Sequence, residues 1–92
     1  MSTRIALVTG GIGGIGTALC QRLARDGHKV VAAYHPAEQG TVEGWVAARK
    51  AEGLDIGTIA GDVSSAEDSA RMVAEIAEKY GPVDIVVNCA GI

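Results

Sequence analysis

An α/β fold built on a doubly wound parallel sheet is what this sequence predicts, and three observations carry that expectation. Short apolar runs alternate with longer stretches of helical periodicity, so the order reads β-α-β-α-β-α-β. The first apolar run, Ile5-Ala6-Leu7-Val8, leads through a glycine-dense turn, Thr9 to Gly16, straight into a helical segment. The last run, Asp84 to Asn88, is apolar almost throughout, as a parallel strand covered on both faces should be. The apolar palette agrees. It is mainly Ala, Val, Ile and Leu, with no Phe and a single Trp, which suits close-packed strand and helix layers better than an aromatic-rich sandwich.

Strand one covers Arg4 to Val8. Helix one runs from Gly14 to Asp26, with Ile15, Ala18, Leu19 and Leu23 on one face and Gly27 closing it as a C-terminal cap. Strand two is Lys29 to Ala33. The segment Tyr34 to Gly40 reads as a loop, because Pro36 and Gly40 both interrupt regular structure. Helix two spans Thr41 to Glu52, turns Val42, Trp45 and Val46 inward, and ends at Gly53. Strand three, Ile56 to Ala60, is short and weakened by Gly57. Helix three opens on an expected capping box of Ser64 with Glu67, and Ala66, Ala70, Val73, Ala77 and Tyr80 line one side of it. Gly81-Pro82 ends that helix, and strand four follows at Asp84 to Asn88.

Right-handed crossovers between parallel strands give the sheet order 3-2-1-4, with helices one and two on one face and helix three on the other. This is the first half of a Rossmann-type doubly wound fold, a single dinucleotide-binding unit over residues 1–92. The crevice between strands one and four then lies beside the glycine turn.

Composition excludes several function classes. A net charge of −3 without a basic stripe gives no handle for nucleic acid or an anionic membrane. No apolar run reaches the length that spans a bilayer. With strand one starting at Arg4 there is no room for a signal peptide, so a cytoplasmic protein is expected. Cys20 and Cys89 stand isolated, without CxxC spacing or histidine partners. Free thiols are expected, and no metal site.

The glycine turn carries the chemistry. Glycine supplies positive φ and lets backbone approach a ligand closely, while the helix start adds unpaired N–H groups and a positive dipole end. Strand, turn and helix in that order make a phosphate-binding device. Three registers fit the same residues. Gly11-x-Gly13-x-x-Gly16 is the general dinucleotide fingerprint. Gly10-x-x-x-Gly14-x-Gly16, preceded by Thr9, resembles the single-domain branch of the short-chain dehydrogenase/reductase superfamily. Gly10-x-x-Gly13-x-x-Gly16 resembles its longer, epimerase-like branch. The glycines alone leave the branch open. A P-loop is excluded, because Gly16 is followed by Thr17-Ala18 and the phosphate-binding lysine is absent.

Asn88-Cys89-Ala90-Gly91, ending strand four, resembles the Asn-Asn-Ala-Gly segment of the single-domain branch and selects it. The resemblance implies that Asn88 ties the central strands together and that Ala90-Gly91 lies against the adenosine ribose. Cys89 departs from the commonest pattern; being small, it is expected to change packing more than function. Asp62-Val63, after strand three, is similar to the family's acidic position that accepts a hydrogen bond from the adenine amino group. A carboxylate is acceptor-only and can supply that bond. An aspartate in the turn before a helix is also common on structural grounds alone, so its weight comes from the accompanying motifs.

The end of strand two discriminates between cofactors. A carboxylate there grips the ribose hydroxyls of NAD, and its absence beside a base accommodates the extra phosphate of NADP. Tyr34-His35 occupy that position, and no Arg or Lys stands in the loop. The missing carboxylate leads us to expect NADP(H) over NAD(H). The resemblance thus assigns Gly10, Gly13, Gly14, Ile15, Gly16, Tyr34, His35, Asp62, Val63, Asn88, Ala90 and Gly91 to cofactor binding. The stretch from Arg4 to Gln21 with its doubled glycines, plus Trp45, most resembles the acetoacetyl-CoA reductases of polyhydroxyalkanoate synthesis. The 3-oxoacyl-acyl-carrier-protein reductases come second. That implies an acyl-CoA or acyl-carrier-protein substrate and a homotetrameric full-length enzyme.

The family's chemistry uses a Tyr-x-x-x-Lys pair with a Ser and an Asn, all beyond the fourth strand. No catalytic residue is assigned in this chain. Tyr34 is followed at the fourth place by Glu38 and Tyr80 by Asp84, while His28 and His35 have no patterned partner. The expectation is therefore the N-terminal, cofactor-binding part of an NADPH-dependent reductase, truncated after the fourth strand and inactive alone. The alternative is a free-standing, non-catalytic nucleotide-binding or interaction module. The exposed apolar edge Ile85-Val86-Val87 argues against it, since unpaired strands template association.

Overall fold

Side chains alternate across a strand, and the apolar runs of this chain have both sides occupied, so each strand needs a cover on both faces. The computed structural model, which describes residues 4–89, shows how that is met. β1 (Ile5–Thr9), β2 (Lys29–Tyr34), β3 (Ile56–Ala60) and β4 (Ile85–Asn88) form one parallel sheet in the order β3-β2-β1-β4. The helices α1 (Gly14–Arg25), α2 (Gln39–Ala51) and α3 (Ala66–Lys79) connect them. Val8, Val30, Ala32 and Ile56 pack with Cys20, Leu19, Leu23 and Trp45 beneath α1 and α2. Leu7, Val31 and Ala33 pack with Met72 and Ile76 beneath α3. Neighbouring residues on β1 and β2 thus serve opposite layers, and the predicted sheet order and helix sides hold.

The register brings the C-terminal ends of the strands level. Thr9 lies opposite Ala33 on one side and Asn88 on the other, and Tyr34 lies opposite Ala60. Gly27 takes φ +93 after the C-cap Asp26, as the expected helix closure requires. Among the described residues β4 pairs with β1 alone, and Val86 is 62% exposed.

Three local expectations are corrected. The first concerns the segment after strand two. Tyr34 belongs to β2, and Pro36–Glu38 form a 3-10 turn that runs directly into α2. His35 Nδ1 accepts from the Ala37 N–H and the Glu38 carboxylate accepts from the His35 N–H, a capping box with Pro36 just inside it. Proline already has the helical φ and lacks only an N–H that would be unpaired there, so it starts this turn instead of breaking it.

The second correction is the start and rotation of α3. Its N-cap is Ser65, which accepts from the Asp68 N–H at 3.2 Å, and the Ser64–Glu67 box does not form. Ser64 instead donates its hydroxyl to Asp62 at 2.6 Å. The buried face is Met72 and Ile76, whereas Ala66, Ala70, Val73 and Ala77 are exposed. Two long side chains four residues apart remove more apolar surface from water than a stripe of alanines, so they decide the rotation. Asp68 reinforces it by accepting from the Asp62 N–H at 2.8 Å.

A third difference lies in α1. Gly16 and Cys20 form its innermost line, while Ile15 is 56% exposed and Ala18 is exposed as well. Leu19 and Leu23 pack against the core as expected.

Candidate functional site

The β1–α1 turn is built by close backbone approach. Gly10 adopts φ +65, which lets the chain reverse, and its carbonyl then accepts from the Gly13 N–H at 3.2 Å. Gly16 crosses so near that carbonyl that any Cβ would collide with it. Gly13 is the N-cap of α1 and carries no side chain to satisfy the helix donors; its carbonyl takes the Thr17 N–H at 2.8 Å. Among the described residues no acceptor meets the N–H groups of Gly14, Ile15 and Gly16. A Cβ at Gly14 would meet nothing within 4 Å, so packing inside the protein gives no reason for glycine there. The turn therefore presents free donors and an open approach at the positive end of a helix, which suits an anion.

Beside it, the two central strands are tied together at their ends. Thr9 Oγ1 donates to Asn88 Oδ1 at 2.8 Å, and the Cys89 N–H donates to the Thr9 carbonyl at 3.1 Å. Thr9 is 7% exposed while Asn88 is exposed, so the bond is half-buried, and it holds Asn88 at the mouth of the β1–β4 crevice. On the α3 side of that crevice Leu7, Thr9, Val63, Met72, Val86 and Asn88 line a cavity of about 210 Å³.

The ends of β2 and β3 form a second cluster. Asp62 Oδ1 accepts from the Ser64 hydroxyl at 2.6 Å and from the Ser64 N–H at 2.9 Å. These two bonds, the hydroxyl first, hold the Asp62 carboxyl below the usual carboxylate range, with His35 acting in the same direction. The group stays ionised and acceptor-only at neutral pH. His35 Nδ1 already accepts from Ala37, which leaves Nε2 to carry a ring N–H, and Nε2 stands 4.0 Å from Asp62 Oδ2. Tyr34 is 7% exposed and donates its hydroxyl to Gln39 Oε1 at 2.8 Å.

The pieces fall along one edge of the sheet: a glycine turn with free helix donors at the end of β1, Asn88 at the end of β4, His35 and Asp62 at the ends of β2 and β3. Ligands bind open α/β sheets at such carboxyl ends, at the point where strand order reverses, here between β1 and β4. A model of the short chain dehydrogenase family matches residues 4–92. This chain belongs to the short-chain dehydrogenase family.

Within that family the chain is 65% identical over 89 residues to an acetoacetyl-CoA reductase of Allochromatium vinosum, a match covering 97% of this chain and 36% of the relative. It is 44% identical over 92 residues to an acetoacetyl-CoA reductase of Cupriavidus necator, covering 100% of this chain and 37% of that one. Among solved structures it superposes on an actinorhodin polyketide ketoreductase with NADPH at a TM-score of 0.86 and 33% identity, covering 98% of this chain and 34% of the other. The chain spans about a third of the length of the curated relatives it matches.

The short-chain dehydrogenase motifs singled out in the sequence are thus brought to one edge, with two qualifications. Tyr34 reaches the edge through its backbone, since its side chain is buried against the start of α2. Ala90 and Gly91 lie outside the described residues. Sequence reasoning named Thr9 and Gly11 only as parts of alternative glycine registers, and Ser64 only as a helix cap. For Ser64 the signal was local: an Asp two residues before a Ser can form an Asx turn, as Asp62 does with the Ser64 N–H. Cys20 is fully buried, and burial first, then the neighbouring Cys89, pushes its thiol up to about 12, which disfavours the nucleophilic thiolate. Among the described residues no three His, Cys, Asp or Glu side chains gather as metal ligands would. No helix among them is long and apolar enough to cross a membrane.

Proposed function

We propose that this chain binds NADP(H) and forms the cofactor-holding part of a short-chain reductase. Its substrate would be the 3-keto group of acetoacetyl-CoA or a related acyl thioester, and the assembled enzyme a homotetramer. The observation that carries the reading is the set of N–H groups at Gly14, Ile15 and Gly16 that find no acceptor among the described residues, placed beside the β1–β4 crevice. Those donors fit a pyrophosphate. Asp62, an ionised acceptor, fits the adenine amino group, and Val63 offers an apolar edge beside it. The His35 ring N–H is a donor suited to a ribose phosphate, and no Asp or Glu follows β2 until Glu38, whose carboxylate is engaged by the His35 N–H. Asn88, held by Thr9, borders the path from the pyrophosphate toward the reacting ring.

When bound, the reduced nicotinamide supplies a hydride; this chain's residues bind and orient the adenosine and pyrophosphate ends. The proton that must reach the carbonyl oxygen needs a donor within hydrogen-bond distance, and no residue here is assigned that task. The chain alone is therefore expected to leave acetoacetyl-CoA unreduced.

A chimera tests the reading. Residues 4–92 replace the matching segment of the Allochromatium vinosum reductase, and kcat/KM on acetoacetyl-CoA is measured with both cofactors. The expected result is an active enzyme that favours NADPH over NADH by about tenfold or more, the effect of about 1.4 kcal/mol of extra binding at the ribose phosphate. A preference for NADH would refute the assignment of His35, and an inactive but folded chimera would refute the assignment of the site.

A further inference from the structure

The geometry points to Trp45 as a positioning residue that holds the glycine turn in shape from a different helix, acting through Thr17. The inference rests on the reading that this turn carries the cofactor's pyrophosphate. Trp45 lies on α2, twenty-eight residues from Thr17, yet its indole Nε1–H donates to Thr17 Oγ1 at 2.9 Å. An indole N–H can only donate, so Thr17 must be the acceptor in this bond. The threonine keeps its own hydroxyl proton, which is directed at the Gly11 carbonyl 3.5 Å away. The chain of donors therefore runs one way, from Trp45 to Thr17 to Gly11, and each link polarises the next.

Gly11 is the residue on which this converges. Its carbonyl also receives the buried Cys20 thiol at 3.7 Å, and its N–H donates to the Ala33 carbonyl at 3.1 Å. It lies so flat on β2 that a Cβ would stand 2.6 Å from that of Ala32. Held on these sides, Gly11 fixes the path from Gly10 to the free donors at Gly14 through Gly16. Trp45 is itself anchored. The Arg49 guanidinium lies 5.2 Å from its ring centroid and pairs with Glu52 at 3.3 Å, and Glu52 accepts from Gln21 on α1 at 2.9 Å. The two helices are thus joined at two levels, and a tilt of α2 is transmitted to the turn through Thr17.

The test uses the whole chain and three variants. Trp45→Phe keeps an aromatic ring and removes the donor. Thr17→Val keeps the shape and removes the hydroxyl, and Thr17→Ser returns it. Amide hydrogen exchange is read at Gly11 and Gly13, the hydrogen-bonded amides of the turn, against the bonded amides of the sheet, and NADPH dissociation constants are measured by calorimetry well below each variant's Tm. Trp45→Phe and Thr17→Val are each expected to speed exchange at Gly11 and Gly13 beyond that of the sheet and to weaken NADPH binding about five- to tenfold, the effect of one lost hydrogen bond. The double variant should be no worse than either single one, because both break the same link. Thr17→Ser should restore binding and the parental shift of the single indole N–H resonance.

A merely structural Trp45 would lower Tm and speed exchange by a similar factor at the protected amides of the sheet, with no preferential rise at Gly11 and Gly13. That result, or losses that add in the double variant, overturns the proposal. Should the parent chain fail to bind NADPH, the functional reading fails. The exchange comparison, which needs no ligand, still decides the role of Trp45.

Discussion

Gly16→Ala is expected to abolish the turn's function and to lower stability together. The methyl group it adds has nowhere to go. It would overlap the Gly10 carbonyl oxygen and stand 2.8 Å from both the Gly10 carbonyl carbon and the Gly11 Cα, all backbone atoms. A flexible side chain could yield, but Gly10 is held at positive φ and Gly11 is hydrogen-bonded to β2. The strain must move α1 or the turn, at about 1–3 kcal/mol for such overpacking. Either displacement misaims the N–H groups of Gly14 and Ile15, so NADPH affinity should fall by at least about tenfold, the factor that 1.4 kcal/mol represents. Gly14→Ala is the matched control. A Cβ there meets no protein atom, so stability should stay within about 0.5 kcal/mol of the parent. Thermal unfolding and calorimetric titration of the two variants separate the cases.

Ile76→Ala and Met72→Ala are expected to be the most damaging substitutions in the outer layer. Both side chains are almost wholly buried, 2% and 1% exposed, against Leu7, Val31 and Ala33 of the sheet. Truncating either removes apolar burial and leaves a cavity, at about 2–5 kcal/mol each. For a domain this small that is comparable to the entire net stability, at roughly 0.05–0.15 kcal/mol per residue. Val73→Ala, one position along the same helix, should cost no more than about 0.5 kcal/mol, because Val73 is 42% exposed. Urea midpoints of the three variants test the rotation of α3. Equal losses at Val73 and Ile76 would mean that the helix presents the alanine face after all.

This last contrast also marks where the sequence was legible. The order of elements, the parallel sheet, its strand sequence and the side taken by each helix followed from apolar runs separated by glycines. Each of those signals is local, and the handedness of crossovers supplies the rest. Helix rotation was less legible. In α3 the pattern Ala70-Val73-Ala77 and the pair Met72–Ile76 are both periodic, and only the sheet surface beneath decides between them. In α1 the inner line is Gly16 and Cys20, residues whose burial reflects close approach to the glycine turn, not hydrophobic size. Pro36 looked like a break, because its neighbours His35 and Glu38 do not form a familiar cap in one dimension.

The same divide runs through the site. Gly10, Gly16, Asp62 and Asn88 were singled out by resemblance to the short-chain dehydrogenase motifs, and they lie at the turn and at the carboxyl ends of the strands. Asn88 was expected to tie the central strands, but its partner Thr9 was not named, and neither the Ser64–Asp62 bond nor the Trp45–Thr17 bond was anticipated. The Thr9–Asn88 and Trp45–Thr17 bonds join residues far apart in sequence, and no side-chain type announces such a partner.

The most direct test of the central claim is an amide-resonance titration of the chain with NADPH. The account requires the N–H resonances of Gly14, Ile15 and Gly16 to move first and furthest, with His35 and Asp62 shifting alongside them. Adenosine 2′-monophosphate, which lacks the pyrophosphate, should move His35 and Asp62 while leaving Gly14 to Gly16 nearly in place. Saturation with NADPH that leaves the Gly14–Gly16 amides unmoved, or that shifts only residues on the α2–β3 side of the sheet, would contradict it.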